Sequence, residues 1–324
     1  MNNTQIYKKT LGFSLRRFLW DALAAIAFFG FAGAGFAIAE STSSRGLIGL
    51  AIGAILGAIA AYIILHFVGY TMKAGQIAMM AEGVATGKLP SDPIAAGKKI
   101  VKERFATVAA YYAVTGVIKG IFRQIGNGIT AVGKAVGGDT GGAVGGTISS
   151  VIDTVIAYLC DCCLGWVFYR KDEKATKATL EGAVLFFRHG KTLVKNLGRV
   201  FGISILSFLV IGGIFTGIFY LITLAVPDAM NSLSTAITEA AARAGEQLPE
   251  FLSNVNTLSL VCSFIGGVIL WSMLHSVFVR PFILVGVLRN FINSGKDDIP
   301  SEQSFAELDK KSSKFAKLHA EADK

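Results

Sequence analysis

The chain has 324 residues, of which 52% are apolar and only 16% charged, against roughly 25% charged in an ordinary soluble domain. The apolar residues are bunched into blocks near the roughly 20 residues that cross a bilayer core, more often than any soluble fold requires. The net charge of +9 sits beside those blocks, where it serves orientation and anionic lipid headgroups rather than nucleic acid. Cys160, Cys162, Cys163 and Cys262 are too few and too clustered for a disulfide framework.

In chain order, residues 1–17 read as a cytoplasmic segment, because Lys8, Lys9, Arg16 and Arg17 precede the first apolar block and positive charge stays inside. Residues 18–38 then run outward. Ala37-Ile38-Ala39 has the form of a signal cleavage site, but the apolar core is about twice the usual h-region of 7 to 15 residues, which favours an uncleaved span. Residues 47–70 return inward, and Gly49, Gly53 and Gly57 repeat every four residues, placing them on one helix face that lets another backbone approach. With Gly30, Gly33 and Gly35 in the first span, a tight hairpin is expected.

A polar stretch over 72–104 contains Lys88-Leu89-Pro90-Ser91-Asp92-Pro93, which cannot be continuous helix. Residues 105–122 are apolar and then amphipathic: Ile118, Ile121, Phe122, Ile125, Ile129, Val132 and Val136 recur opposite Lys119, Arg123 and Lys134. The next block, 147–168, leads into a basic loop that belongs inside. Since Arg104 is inside as well, the chain between crosses an even number of times. Two crossings with an outside turn at 137–146 are expected, and a re-entrant or interfacial hairpin is the alternative.

Residues 200–226 run outward and 258–278 back. Between them Asp228, Glu239, Glu246 and Glu250 with only Arg243 mark an exposed outer cap that begins beside Pro227. The last helix extends toward Phe291 past a kink at Pro281. In the tail, 293–324, Ser304 and Glu307 have capping-box spacing, and Phe305, Leu308, Phe315 and Leu318 form a stripe that docks on the protein or lies on the membrane. The expected fold is an all-α, polytopic transmembrane helical bundle over 18–292, with six spans, amphipathic cytoplasmic helices and both termini in the cytoplasm. The membrane is the plasma membrane, or the inner membrane of a bacterium.

At Cys160-Asp161-Cys162-Cys163-Leu164, with Ala183-Val184-Leu185-Phe186-Phe187 and Lys195-Asn196-Leu197-Gly198-Arg199-Val200 downstream, the chain resembles the choline transporter-like solute carriers. Those proteins place a cysteine-clustered helix before a basic intracellular segment and a glycine-containing span. The likeness continues through Ser263-Phe264 and Val287-Leu288-Arg289-Asn290-Phe291 and covers roughly 105–315. It implies transport of a small cationic solute. This chain has fewer spans than that family, no large loop after the first span and a thinner cysteine cluster.

Charge at membrane depth costs about 2.5 to 3.5 kcal/mol at a helix centre, so each instance needs a reason. Asp153 and Asp161, eight residues apart on one span, lie about 80° apart around its axis. With Tyr158 and Trp166 they could line a pathway for an ammonium solute through charge pairing and cation–π attraction. The plainer reading puts Asp153 at the headgroups and pairs Asp161 with a neighbouring helix through Lys119 or Arg123. His275 in the last span is a candidate proton relay or an interhelical hydrogen bonder, and His66 near the inner end of the second span is weighed the same way.

Cys-x-Cys-Cys lacks a second ligand pair for a metal. Gly137-Gly138-Asp139-Thr140-Gly141-Gly142 lacks the ending of a phosphate loop, and no hydrolase motif is present. No enzyme activity, cofactor or metal is expected. The competing roles are a transporter or channel-like protein, a non-transporting scaffold or subunit of a membrane complex, and a homo-oligomeric pore; the expected partners are anionic lipid and a second copy or another membrane protein.

Overall fold

The structure is a computed structural model that describes residues 1–43, 45–105, 112–121, 124, 156–195, 197–245, 249 and 254–322. These residues are helical, with no strand among them. Four helices are long and apolar enough to cross a membrane: Asn3–Thr42, Ile48–Thr86, Val200–Ala225 and Val255–Gly295. The other two expected crossings correspond in part to shorter apolar helices, Tyr112–Ile121 and Ile156–Tyr169. Residues 106–111, 122–123 and 125–155, including the expected turn at 137–146, lie outside the described residues. The chain falls into two units, Met1–Leu197 with Pro281–Lys324, and Gly198–Arg280.

The first unit begins with two 41-residue helices, α1 (Asn3–Ser43) and α2 (Gly46–Thr86), each about 60 Å long at ~1.5 Å per residue, roughly twice a bilayer core. They pair antiparallel throughout: Gly83 faces Ile6, Gly75 faces Phe13, Gly57 faces Phe28 and Gly49 faces Gly35. Each helix meets two solvents. In the far half Leu19, Leu23, Ile26 and Phe29 of α1 and Ile52, Ile55, Leu56 and Ile59 of α2 point outward and exposed, as lipid contact requires. In the near half Ile6, Phe13, Met72, Ile77, Met79 and Met80 are buried, and buried Gln76 donates from Nε2 to Ser14 Oγ at 2.9 Å. The second span was expected to end near Tyr70. It instead continues as protein-covered helix, because apolar residues persist and nothing breaks the backbone before Gly87, which ends α2 in a left-handed conformation (φ 68°) that glycine adopts without a Cβ clash.

Helix α3 (Pro93–Arg104) starts where Asp92 accepts from the Ile94 and Ala95 amides at 3.0 and 3.1 Å, with Pro93 in the first turn; this is the expected pattern of an N-terminus. It lies on the near half of the hairpin, with Ile94 against Gly12 and Gly97 against Phe13 and Gly75. Helices α4 (Tyr112–Ile121), α5 (Ile156–Tyr169) and α6 (Ala175–Lys195) follow.

In the second unit, α7 (Leu197–Ser207) passes through a π-helical turn, Phe208–Gly212, into α8 (Gly213–Ala225). Helix α9 (Pro227–Ala244) lies in the segment expected as a cap, opened by proline and closed by Gly245 at φ 71°. Helix α10 (Val255–Leu274) leads into a second π-helical turn, His275–Val279, placed where Pro281 withholds a backbone donor. Its partner in the hairpin is α8: Gly267 sits against Thr216 and the Gly212 carbonyl.

The chain returns to the first unit with α11 (Arg280–Gly295), α12 (Glu302–Asp309) and α13 (Ser313–Ala322). The tail stripe docks on protein: Phe305, Leu308 and Phe315 are buried with Leu180, Ala183 and Val184 of α6 and Ile121 of α4, and Val117, Phe187 and Leu318 pack around them. The capping box expected at Ser304 and Glu307 is corrected. Ser301 stands at the N-cap, and Ser304 is buried and takes a hydrogen bond from Arg188.

Candidate functional site

The residues expected to line a pathway belong to α5, a helix buried on nearly every side. Its neighbours approach closely: Gly182 of α6 faces Cys163, Leu288 of α11 faces Gly165, and Gly295 of α11 faces Trp166. The Trp166 ring meets Phe291 edge-on at 6.2 Å, and Phe168 meets Phe105 edge-on at 5.8 Å. The three cysteines Cys160, Cys162 and Cys163 are reduced and buried. They occupy small-residue positions against this shell, and no group of three metal-ligating side chains occurs among the described residues.

Asp161 is buried and its Oδ1 lies 2.6 Å from Lys73 Nζ of α2. Lys73 was not among the partners expected for Asp161, and the reason it is one is tertiary. Lys73 is the first lysine on α2 after the apolar block, and the unbroken helix carries it into the protein-covered zone where α5 packs. Trp166 donates from Nε1 to Glu181 Oε2 at 3.0 Å, so its indole is spent inside the protein. Tyr158 is buried as well. Asp153 lies outside the described residues; Asp161, Tyr158 and Trp166 all belong to α5.

The lower end of α5 is held by charge that sequence patterning does not reveal. Arg104, the last residue of α3, donates to the carbonyls of Val167 (3.0 and 2.7 Å), Arg170 (2.6 Å) and Glu173 (2.6 Å). Carbonyls that a helix end leaves unbonded are thereby satisfied. Burial lowers the Arg104 pKa from the usual guanidinium range, while nearby Asp172 opposes the shift. Glu181 sits below Trp166 with Arg170 Nη2 at 3.5 Å from its Oε1. Burial raises its pKa above the ordinary 4.5, with the Trp166 hydrogen bond and Arg170 opposing. A carboxyl whose pKa is higher folded than unfolded favours the folded state most below its unfolded pKa and loses that contribution as pH rises through the folded value. Glu181→Gln keeps an acceptor for Trp166 and cannot ionise. Its melting temperature is expected to fall less than the parent's between pH 4 and pH 8, and parallel pH profiles would refute the assignment.

His275 belongs to the second unit. Its Nε2 lies 3.0 Å from Ser204 Oγ, one turn from Trp271, whose Nε1 donates to Ser207 Oγ at 3.1 Å. Both contacts bridge the two helices of that hairpin beside its π-helical turns. His66 is stacked between Tyr62 (5.1 Å) and Tyr112 (4.1 Å, rings 7° apart), and Tyr112 donates to the His66 carbonyl at 3.2 Å. The packing glycines Gly49, Gly53 and Gly57 meet the Gly35, Phe31 and Phe28 backbone of α1.

These features describe a membrane-embedded helical protein in which Asp161 and Trp166 are engaged with Lys73 and Glu181. Comparison with protein-family models, with curated proteins and with solved structures finds no match.

Proposed function

We propose that the chain is a non-transporting anchor and assembly subunit, in which the α1–α2 hairpin carries a helical platform at the cytoplasmic face of the membrane and the second unit contributes a further apolar hairpin. The observation that carries this reading is the Lys73–Asp161 pair. An acid that is to capture an ammonium solute must be free to lose its partner, and this one is buried against a resident ammonium at 2.6 Å, with the neighbouring indole bonded to Glu181. Helix α5 is then a structural post of the platform, and a hairpin of two helices packed backbone to backbone encloses no path of its own.

The proposed topology has four crossings, both termini cytoplasmic, and the segment between Arg104 and Arg170 starting and ending on the cytoplasmic side. It is supported by the contacts that α4 makes with the tail. The end of α4 packs against the tail helices, and Gln124 donates to Ser313 Oγ at 2.9 Å. Of the 31 Lys and Arg residues only Arg45 and Arg243 then fall on the outer connections, as the positive-inside rule favours. The expected pair of additional crossings within 105–168 is replaced in this reading by the re-entrant or interfacial alternative.

One membrane preparation tests both parts. Purification in mild detergent is expected to retain a membrane-protein partner at fixed stoichiometry, proteoliposomes are expected to show no uptake of ammonium solutes, and Gly138→Cys is expected to react with an impermeant thiol reagent only after permeabilisation. A lone monomer with uptake that Asp161→Asn abolishes would overturn the assignment, and labelling of intact cells at residue 138 would overturn the topology.

A further inference from the structure

We propose that the edge where α3 meets the membrane end of the α1 near half is a binding site for the phosphate of an anionic phospholipid in the cytoplasmic leaflet. The inference rests on the reading that the α1–α2 hairpin crosses the membrane. It goes beyond a general preference for anionic lipid because the fold gathers specific cations that are far apart in sequence.

The gathering follows from contacts already described. Ile94 lies on Gly12 and Gly97 on Phe13, so α3 runs alongside α1 in the same direction. By helix rise, Lys98, one turn beyond Ile94, is level with Arg16, one turn beyond Gly12, and Lys102 follows one turn later, where the apolar block of α1 begins. Arg17 has Asp21 at 3.9 Å and Lys99 has Glu103 at 3.9 Å. Among the described residues Arg16, Lys98 and Lys102 have no carboxylate within ion-pair range, and all three are exposed. Like charges held at one level repel unless an anion joins them.

The immediate surroundings select the source of that anion. Leu15, Leu19 and Trp20 of α1 are exposed beside Arg16, and an indole at this depth is typical of the boundary between headgroups and acyl chains. A phosphate on the basic edge with its acyl chains along Leu19 and Leu23 satisfies both halves of the surface. A free phosphate uses only the first.

The test uses the full chain reconstituted in phosphatidylcholine with a minor fraction of phosphatidylglycerol, then extracted in mild detergent and examined for retained lipid by native mass spectrometry. The parent is expected to retain phosphatidylglycerol in preference to phosphatidylcholine. Arg16→Gln/Lys98→Gln/Lys102→Gln is expected to lose that retention by about tenfold or more, since each basic residue adds to headgroup attraction. Lys8→Gln/Lys88→Gln/Lys310→Gln removes the same charge elsewhere and is expected to retain the lipid, with both variants melting as the parent does.

Equal retention by the two variants, or displacement of the lipid by millimolar inorganic phosphate, would overturn the proposal. Release of the parent from membranes by alkaline carbonate would overturn the membrane reading and this site with it. Loss of lipid preference in a carbonate-resistant chain overturns the site alone.

Discussion

Gly53→Val is expected to abolish the folded, monodisperse protein, while Gly30→Val leaves it intact. A Cβ on Gly53 meets the Phe31 carbonyl and the Ala32 Cα of α1, and a Cβ on Gly49 meets the Gly35 carbonyl. Overpacking costs about 1–3 kcal/mol where side chains can give way. Here the obstacle is backbone, so two 41-residue helices must separate along their length to admit one branched side chain. The loss is expected to exceed about 3 kcal/mol, a large share of a total near 5–15 kcal/mol. Gly30 has nothing within 4 Å of its Cβ position, so its substitution is expected to stay within about 0.5 kcal/mol. Thermal melts followed by fluorescence size-exclusion chromatography measure both. Equal behaviour of the two variants would refute backbone contact as the basis of the hairpin.

Lys73→Met is expected to destabilise the protein by about 3–5 kcal/mol, more than Asp161→Asn does, although the two residues form one pair. The asymmetry comes from exposure: the Asp161 side chain is 4% accessible and that of Lys73 is 33%. Removing the lysine takes the ammonium away from a buried carboxylate. Removing the acid leaves an ammonium whose four-carbon stem lets it reach water. Asp161→Leu/Lys73→Met removes both charges and is expected to recover most of the loss, a coupling far from additive. Unfolding of the purified variants in detergent checks the order. If Asp161→Asn proves the more damaging, or the double variant adds the single losses, the pair is not the structural bond described here, and Asp161 returns as a candidate solute site.

The period-four glycines of α2 announced a close helix partner because a missing side chain repeated on one face has few other uses. The tail stripe Phe305, Leu308, Phe315 and Leu318 announced docking, but a one-dimensional stripe is the same for a protein surface and for a membrane surface. Only the facing residues Leu180, Val184 and Ile121 separate the two. Lys73 lies in the polar stretch 72–104, and local patterning cannot tell a lysine that enters a core from one that stays in water. Arg104 was likewise a marker of sidedness. Its role at the end of α5 depends on carbonyls more than sixty residues away.

The amino-acid sequence alone determined that this is a helical protein with apolar segments long enough to cross a membrane, and which end of each carries positive charge. Those properties follow from local apolar length and flanking charge, which the bilayer reads segment by segment. The partner of Asp161 was decided only by the tertiary structure. Whether a buried charge is a site or a bond depends on what stands opposite it, and here that is Lys73, brought to Asp161 by a helix that continues beyond the apolar block.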